Sequence, residues 1–208
     1  MTDTLKANFA QNLLLGGAVF LISGVFFSLF YNFDQLFTQL FYFQDGGFVI
    51  GQNIIVEILR DVFKSIYVLA LVITCLALLF LIGFVGKGGV KYQQKWLYVL
   101  LCLIIGPGLV TNIILKDNWG RARPVQTESF GGTKQFTPPL LPTTQCQTRN
   151  CSFVCGEASS IFAVFFAFGI ISAGVFRQRF FYLALSLGAL SGLVRVVQGK
   201  HFFSDVIF

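Results

Sequence analysis

The chain has 208 residues, of which 55% are hydrophobic and only 12% charged, with a mean hydropathy of +0.76 and a net charge of +6. Composition this apolar excludes an ordinary soluble domain and reads as an integral membrane protein. The basic balance does not mark a nucleic-acid binder, because five of the positive charges (Lys87, Lys91, Lys95, Arg177 and Arg179) sit in short loops between apolar runs.

Crossing hydrocarbon takes about 20 apolar residues per helix. Residues 1–12 lead into an apolar run at 13–31, which is long for a signal peptide and lacks a clear small-residue cleavage site, so it reads as an uncleaved first helix. Residues 54–64 carry Glu57, Arg60, Asp61 and Lys64 at helical spacing among Ile and Leu, and read as an interfacial helix or a surface helix capping the bundle. Further runs lie at 65–85 and 96–115, and two shorter ones at 158–175 and 180–194. Residues 202–208 open like another helix and end after about two turns. The expectation is an all-α membrane helical bundle forming a single domain over 1–208, on a six-span plan with the last helix truncated. The 26 Phe residues read as lipid contact and packing.

Lys and Arg collect in the loops between the second and third and between the fourth and fifth runs, which assigns both loops to the cytoplasm. Lys6 and the amino terminus then lie inside, and all the charged motifs described next face the opposite, extracytoplasmic side. Cys75 and Cys102 fall within apolar runs and read as small buried hydrophobes. Cys146, Cys151 and Cys155 share an outer loop, where an oxidising compartment permits a bridge. The first two are the favoured pair, with Cys151–Cys155 left open by the sequence.

Three charged clusters sit at the ends of apolar runs: Lys116 with Arg123-Pro124, Cys155-Gly156-Glu157, and Arg195 with His201 and Asp205. A phosphoryl group spreads its charge over several oxygens, so binding it takes converging guanidinium and ammonium donors. Lys116, Arg123 and Arg195 supply them. A lone basic residue at a helix end usually only snorkels to the interface, but three on one face weaken that reading. Arg121 reads as part of the attracting field or as a contact to lipid phosphates, and Trp119 as an interfacial anchor.

His201 is the only histidine, and Asp205 follows it by four residues, so that a carboxylate can hold one ring nitrogen while the other faces a substrate. Gly156 lets backbone N–H groups approach an anion at a helix start, and Cys155 adds a weak donor. Glu157 reads either as a carboxylate favoured by the helix dipole or as a protonated general acid for the departing alkoxide.

The spacing of these clusters resembles the type 2 phosphatidic acid phosphatase superfamily, over everything from the third run to the end. The finer strings, KDNWGRARP from Lys116, SFVCGEAS from Ser152 and QGKHFFSD from Gln198, look like the branch of that superfamily that dephosphorylates bacterial lipid A at the 4' position. The resemblance implies a phosphatase needing no metal or other cofactor, in which His201 attacks phosphorus, Asp205 orients its ring, and Lys116, Arg123 and Arg195 hold the phosphate. It also implies a further helix after Asp205, and a lipid A or other anionic phospholipid substrate reached from the periplasmic face of the bacterial inner membrane. Two departures stand out. The second motif usually reads Pro-Ser-Gly-His, whereas here it is Val154-Cys155-Gly156-Glu157, and Val194 replaces the usual Ser before Arg195. Undecaprenyl pyrophosphate or phosphatidylglycerophosphate remain alternative substrates, since the motifs read phosphate and not lipid. A non-catalytic lipid-phosphate binder is the alternative of a different class.

Overall fold

The computed structural model describes residues 3–147 and 149–208, and only the backbone of 3–13, 86 and 87. The side chains of Lys6 and Lys87, used above for orientation, therefore lie outside the described residues.

Helix α1 (Asp3–Leu29) bends by 82° into the short α2 (Phe33–Gln39). Helix α3 (Ile54–Phe80) continues through wide π-turns over Leu81–Val85. Helix α4 (Val90–Leu103) likewise continues through π-turns over Ile104–Leu115 into α5 (Lys116–Asn118). After a long connection come α6 (Gly156–Ile171), α7 (Gly174–Val197) and α8 (Phe203–Ile207).

Among the described residues, three stretches are long and apolar enough to cross a membrane: Ile54–Val85, Val90–Asn118 and Gly174–Val197. Helices α1 and α2 form a fourth only as a broken span. With 16 residues, α6 measures about 24 Å, short of the ~30 Å hydrocarbon core. The expected fourth run, 158–175, is cut where Ser172 and Ala173 become extended and Gly174 takes a left-handed φ of 57°. Residues 54–64 are no separate surface helix. No Gly or Pro interrupts the chain from Ile54 to Phe80, and Asn53 caps the start by accepting from Ile55 N–H at 2.9 Å, so the charged turns are simply the outer end of α3.

The π-turns in the third span follow from Pro107, which offers no N–H and crowds the preceding turn. The Asn112 amide donates to the Pro107 carbonyl at 2.6 Å, and buried Thr111 lies 3.0 Å from Ser159 on α6. Ala70, Val99, Leu103, Val164 and Ala167 form the core between α3, α4 and α6, and Phe63, Ile161 and Val194 extend it to α7. Helices α6 and α7 approach closely because Gly188 leaves room for the Phe162 ring, which a Cβ there would meet at 2.6 Å. Cys75 is exposed on the outside of the bundle rather than buried, and Cys102 is half-buried.

Lys95 donates to the carbonyl of Ile171 at 3.2 Å and Arg177 to that of Ser172 at 3.2 Å. The two loops assigned to one side by their charges thus meet at the C-terminal end of α6. All three motif clusters gather at its other end, under the connection 119–155. That connection is stitched to the motifs by backbone bonds, Cys146 N–H to Gly120 (2.7 Å), Cys151 N–H to Lys116 (3.1 Å) and Ser152 N–H to Arg121 (2.9 Å). Gly120, at φ 70°, passes so close to the Thr143 carbonyl that no side chain fits. Cys146 and Cys151 are disulfide-bonded, with Cα atoms 5.9 Å apart.

Candidate active site

Each motif contributes from a different element. Lys116 ends the third span and is buried, its ammonium donating to Asn150 Oδ1 at 3.3 Å. Arg123 lies in the connection just before a turn that starts at Pro124, and donates to the backbone carbonyl of Asn150 at 2.8 Å. Arg195, in the last turn of α7, places Nε 3.3 Å from Glu157 Oε1 and donates to Gln198 Oε1 at 2.5 Å.

The other Glu157 oxygen, Oε2, is 3.9 Å from Nε2 of the fully buried His201, whose Nδ1 is 3.7 Å from Asp205 Oδ2. His201 and Asp205 do not share one helical turn: α8 starts at Phe203, and the four-residue spacing folds the imidazole back over that start. Cys155 ties the second motif to the third by donating its backbone N–H to the Asp205 carbonyl at 2.7 Å. Lys116 interacts electrostatically with Glu157, Cys155, Arg123 and Arg195, so the cationic trio shares one small volume. Gly156 faces it: a Cβ there would press to 2.9 Å from the Lys116 ammonium.

Four buried polar atoms at the centre have no hydrogen-bond partner among the described residues: Arg195 Nε, Glu157 Oε2 and both ring nitrogens of His201. Of these, Arg195 Nε and the protonated ring nitrogen can donate, whereas Glu157 Oε2 and the other ring nitrogen only accept; it is the converging cations Lys116, Arg123 and Arg195 that make this a place for an anion with several acceptor oxygens. Cys155, Glu157 and His201 also offer donor atoms within 4.8 Å of one another, a set that a cation could use. Lys116, Arg123 and Arg195 crowd the same space and tilt it toward anions.

Glu157 lies ahead of the apolar stretch of α6. Burial alone would push its carboxyl up, but Arg195, His201 and Lys116 outweigh that and hold it down at about 2. Of the two readings of Glu157, the site as it stands has the ionised one: the carboxylate lies between Arg195 and His201. Burial lowers the His201 pKa below the usual imidazole value despite nearby Asp205, leaving a neutral ring. Burial pushes the Cys155 thiol up to about 12, so it is a neutral donor and no thiolate.

The sequence reading misplaced Arg121 and passed over Asp34, Asn150 and Ser152. Arg121 is out of reach of lipid phosphates. It is wholly buried, donating to Asp205 Oδ1 (2.5 Å), Asp34 Oδ2 (2.8 Å), Ser204 Oγ (2.8 Å) and the Thr137 carbonyl (2.9 Å), with its guanidinium 4.5 Å from the centre of the Phe202 ring. Ser152 donates to Asp205 Oδ2 at 2.5 Å, and Phe202 N–H does so at 2.8 Å. Trp119 is no free interfacial anchor: it donates to the Pro139 carbonyl at 2.7 Å and stacks on Phe153. An Arg two residues before the motif Arg was the one available signal for Arg121. Asp34, more than 80 residues away, had none.

A helical membrane bundle that gathers three cations, an imidazole and a carboxylate at one end has the makings of a membrane phosphatase. Residues 95–208 match the model of the PAP2 superfamily, and the chain belongs to it. Three relatives are lipid A 4'-phosphatases by name. That of Francisella tularensis subsp. novicida (strain U112) is 38% identical over 95% of this chain and 88% of its own length. That of Rhizobium leguminosarum is 32% identical over 87% and 82%, and that of Rhizobium etli 31% over 97% and 82%. No solved structure matches significantly. The protein is thus a phosphatase of membrane lipids.

Proposed function

We propose that this chain, as one catalytic domain, removes the 4'-phosphate from lipid A or its precursors at the periplasmic face of the inner membrane. The observation that carries the reading is the convergence of Lys116, Arg123 and Arg195 on one small volume beside the buried imidazole of His201, whose Nε2 lies 3.9 Å from Glu157. The names of the three relatives support the substrate. Basic loops gathered at the far end of α6, and a disulfide in the connection above the motifs, support the orientation.

In this mechanism Lys116, Arg123 and Arg195 take the phosphate oxygens, with the Gly156 backbone leaving them room. The neutral His201 attacks phosphorus through Nε2, the bond from phosphorus to the sugar oxygen breaks, and a phosphohistidine forms. Asp205 steadies the developing imidazolium, for which the 3.7 Å gap to Nδ1 must close. The incoming phosphate displaces the Glu157 carboxylate from Arg195 and His201, and its negative charge reverses the local field. Glu157 then takes up a proton from solvent, gives it to the leaving alkoxide, and later accepts one from the water that hydrolyses the phosphohistidine to inorganic phosphate.

Purified protein in detergent should release inorganic phosphate from lipid A without added metal, and mass spectrometry should show a product lacking the 4'-phosphate. A product lacking only the other phosphate, or none at all, would overturn the assignment. Glu157→Gln should cut turnover about 100-fold. It should not weaken binding of inorganic phosphate, because it removes the negative charge that competes for Arg195 and His201. Unchanged turnover would reduce Glu157 to a residue that only favours the helix start.

A further inference from the structure

A cavity of about 480 Å³ adjoins the phosphate cluster, with Arg195 as part of its wall. It is bounded by the loop between α2 and α3, the outer end of α3, the 125–131 segment and the chain just after α7. Its volume falls in the range of ordinary ligand sites. Its polar lining includes Glu57 and Gln198, with the Tyr42 ring at one edge. Acyl chains belong in the bilayer, so this cavity fits the polar part of a substrate whose phosphate sits against Arg195.

Lys200 sets the chemistry of that part. Its backbone N–H bonds to the Arg195 carbonyl at 3.0 Å, but its ammonium makes no hydrogen bond or ion pair among the described residues. The charges it feels most are two more cations, Arg123 and Arg195. Of the other charges around the cavity, Arg60 is already paired with Asp61 at 2.7 Å, and Glu57 is the one carboxylate in the lining. An ammonium half-buried among like charges, with no partner, is an anchor waiting for an anion.

We propose that this cavity is a leaving-group subsite for a sugar carrying a second anionic group, with the ring against Tyr42 and the anion held by Lys200. The inference rests on the phosphatase reading above but not on lipid A as the substrate. Soluble probes separate the two. In isothermal titration of the whole protein in detergent, glucose 1,6-bisphosphate should bind about 10-fold more tightly than glucose 6-phosphate, the worth of one charge-assisted hydrogen bond. Lys200→Met should erase the difference and Lys200→Arg should keep most of it. Equal affinities in the wild-type protein, or a preference that survives Lys200→Met, would overturn the subsite. Failure of the lipid A reading would appear elsewhere, as bisphosphate preference in a protein that leaves lipid A intact.

Discussion

Replacing His201 with Asn should lower phosphate release by more than about 10⁴-fold while leaving the fold and the binding of inorganic phosphate in place. The ring has no hydrogen bond to lose among the described residues, since neither nitrogen finds a partner there within bonding distance. Deleting a structural histidine would instead show up as a lower melting temperature. The substitution also keeps a polar group of similar reach in a fully buried position, so the cavity term stays small. Trapping with radiolabelled substrate should give an acid-labile, alkali-stable phosphoprotein in the wild type and none in the variant. Release that survives the change would remove the proposed nucleophile.

As the proposed nucleophile, the same residue should set the acid limit of activity. Burial lowers the His201 pKa, so the neutral, nucleophilic ring persists below the ordinary imidazole value of about 6.5 and is lost only as pH falls through the lowered one. The acid limb of the kcat/KM profile should therefore lie below pH 6.5. A limb above that value would mean that Asp205 outweighs burial.

The candidate site was legible in the sequence because each of its members is an exception to its surroundings: Lys116, Arg195 and Glu157 break apolar runs, and His201 is unique in the chain. Their convergence was a wager on geometry that the fold honours through backbone bonds, chiefly Cys155 N–H to Asp205 and Cys151 N–H to Lys116. The ionisation of Glu157 was not legible, because it depends on a balance between burial and the Arg195, Lys116 and His201 side chains, which come from separate parts of the chain. Span limits were read well where apolarity alone decides them, and poorly where it does not. Hydropathy drops at Glu57 to Lys64, yet α3 runs on, since a helix responds to breakers and caps rather than to charge. At Ser172 hydropathy stays high and the helix nonetheless stops. Asn150 was hidden by its loop setting, where it bridges Lys116 and Arg123 through its side chain and its carbonyl respectively.

Arg121→Met should be the most damaging substitution to the fold itself. It strands two carboxylates, Asp34 on α2 and Asp205 on α8, in a fully buried place, and breaking such a pair from one side costs about 3–5 kcal/mol. The loss spreads along the network. Asp34 also accepts from the Ser204 N–H and hydroxyl and Asp205 from Ser152, so the guanidinium is the shared centre of a network that joins α2, the outer connection and α8. Arg121→Lys should rescue little, because one ammonium cannot replace a planar fork that serves four acceptors. Burial works against the Asp205 charge, but Arg121 leads a set of partners that hold its pKa well below the usual carboxylate range. A depressed carboxylate stabilises the fold above its unfolded pKa of about 3.9 and loses that contribution as pH falls. Wild-type thermal stability in detergent should therefore decline steeply below pH 4, and Arg121→Met should flatten that decline while lowering the melting temperature at neutral pH. His201→Asn, by contrast, should keep both features of the wild-type curve. If Arg121→Met melts like the wild type yet fails to turn over substrate, the guanidinium acts on the reaction rather than on the scaffold, and Arg121 belongs with the proposed binding trio rather than forming a buried brace.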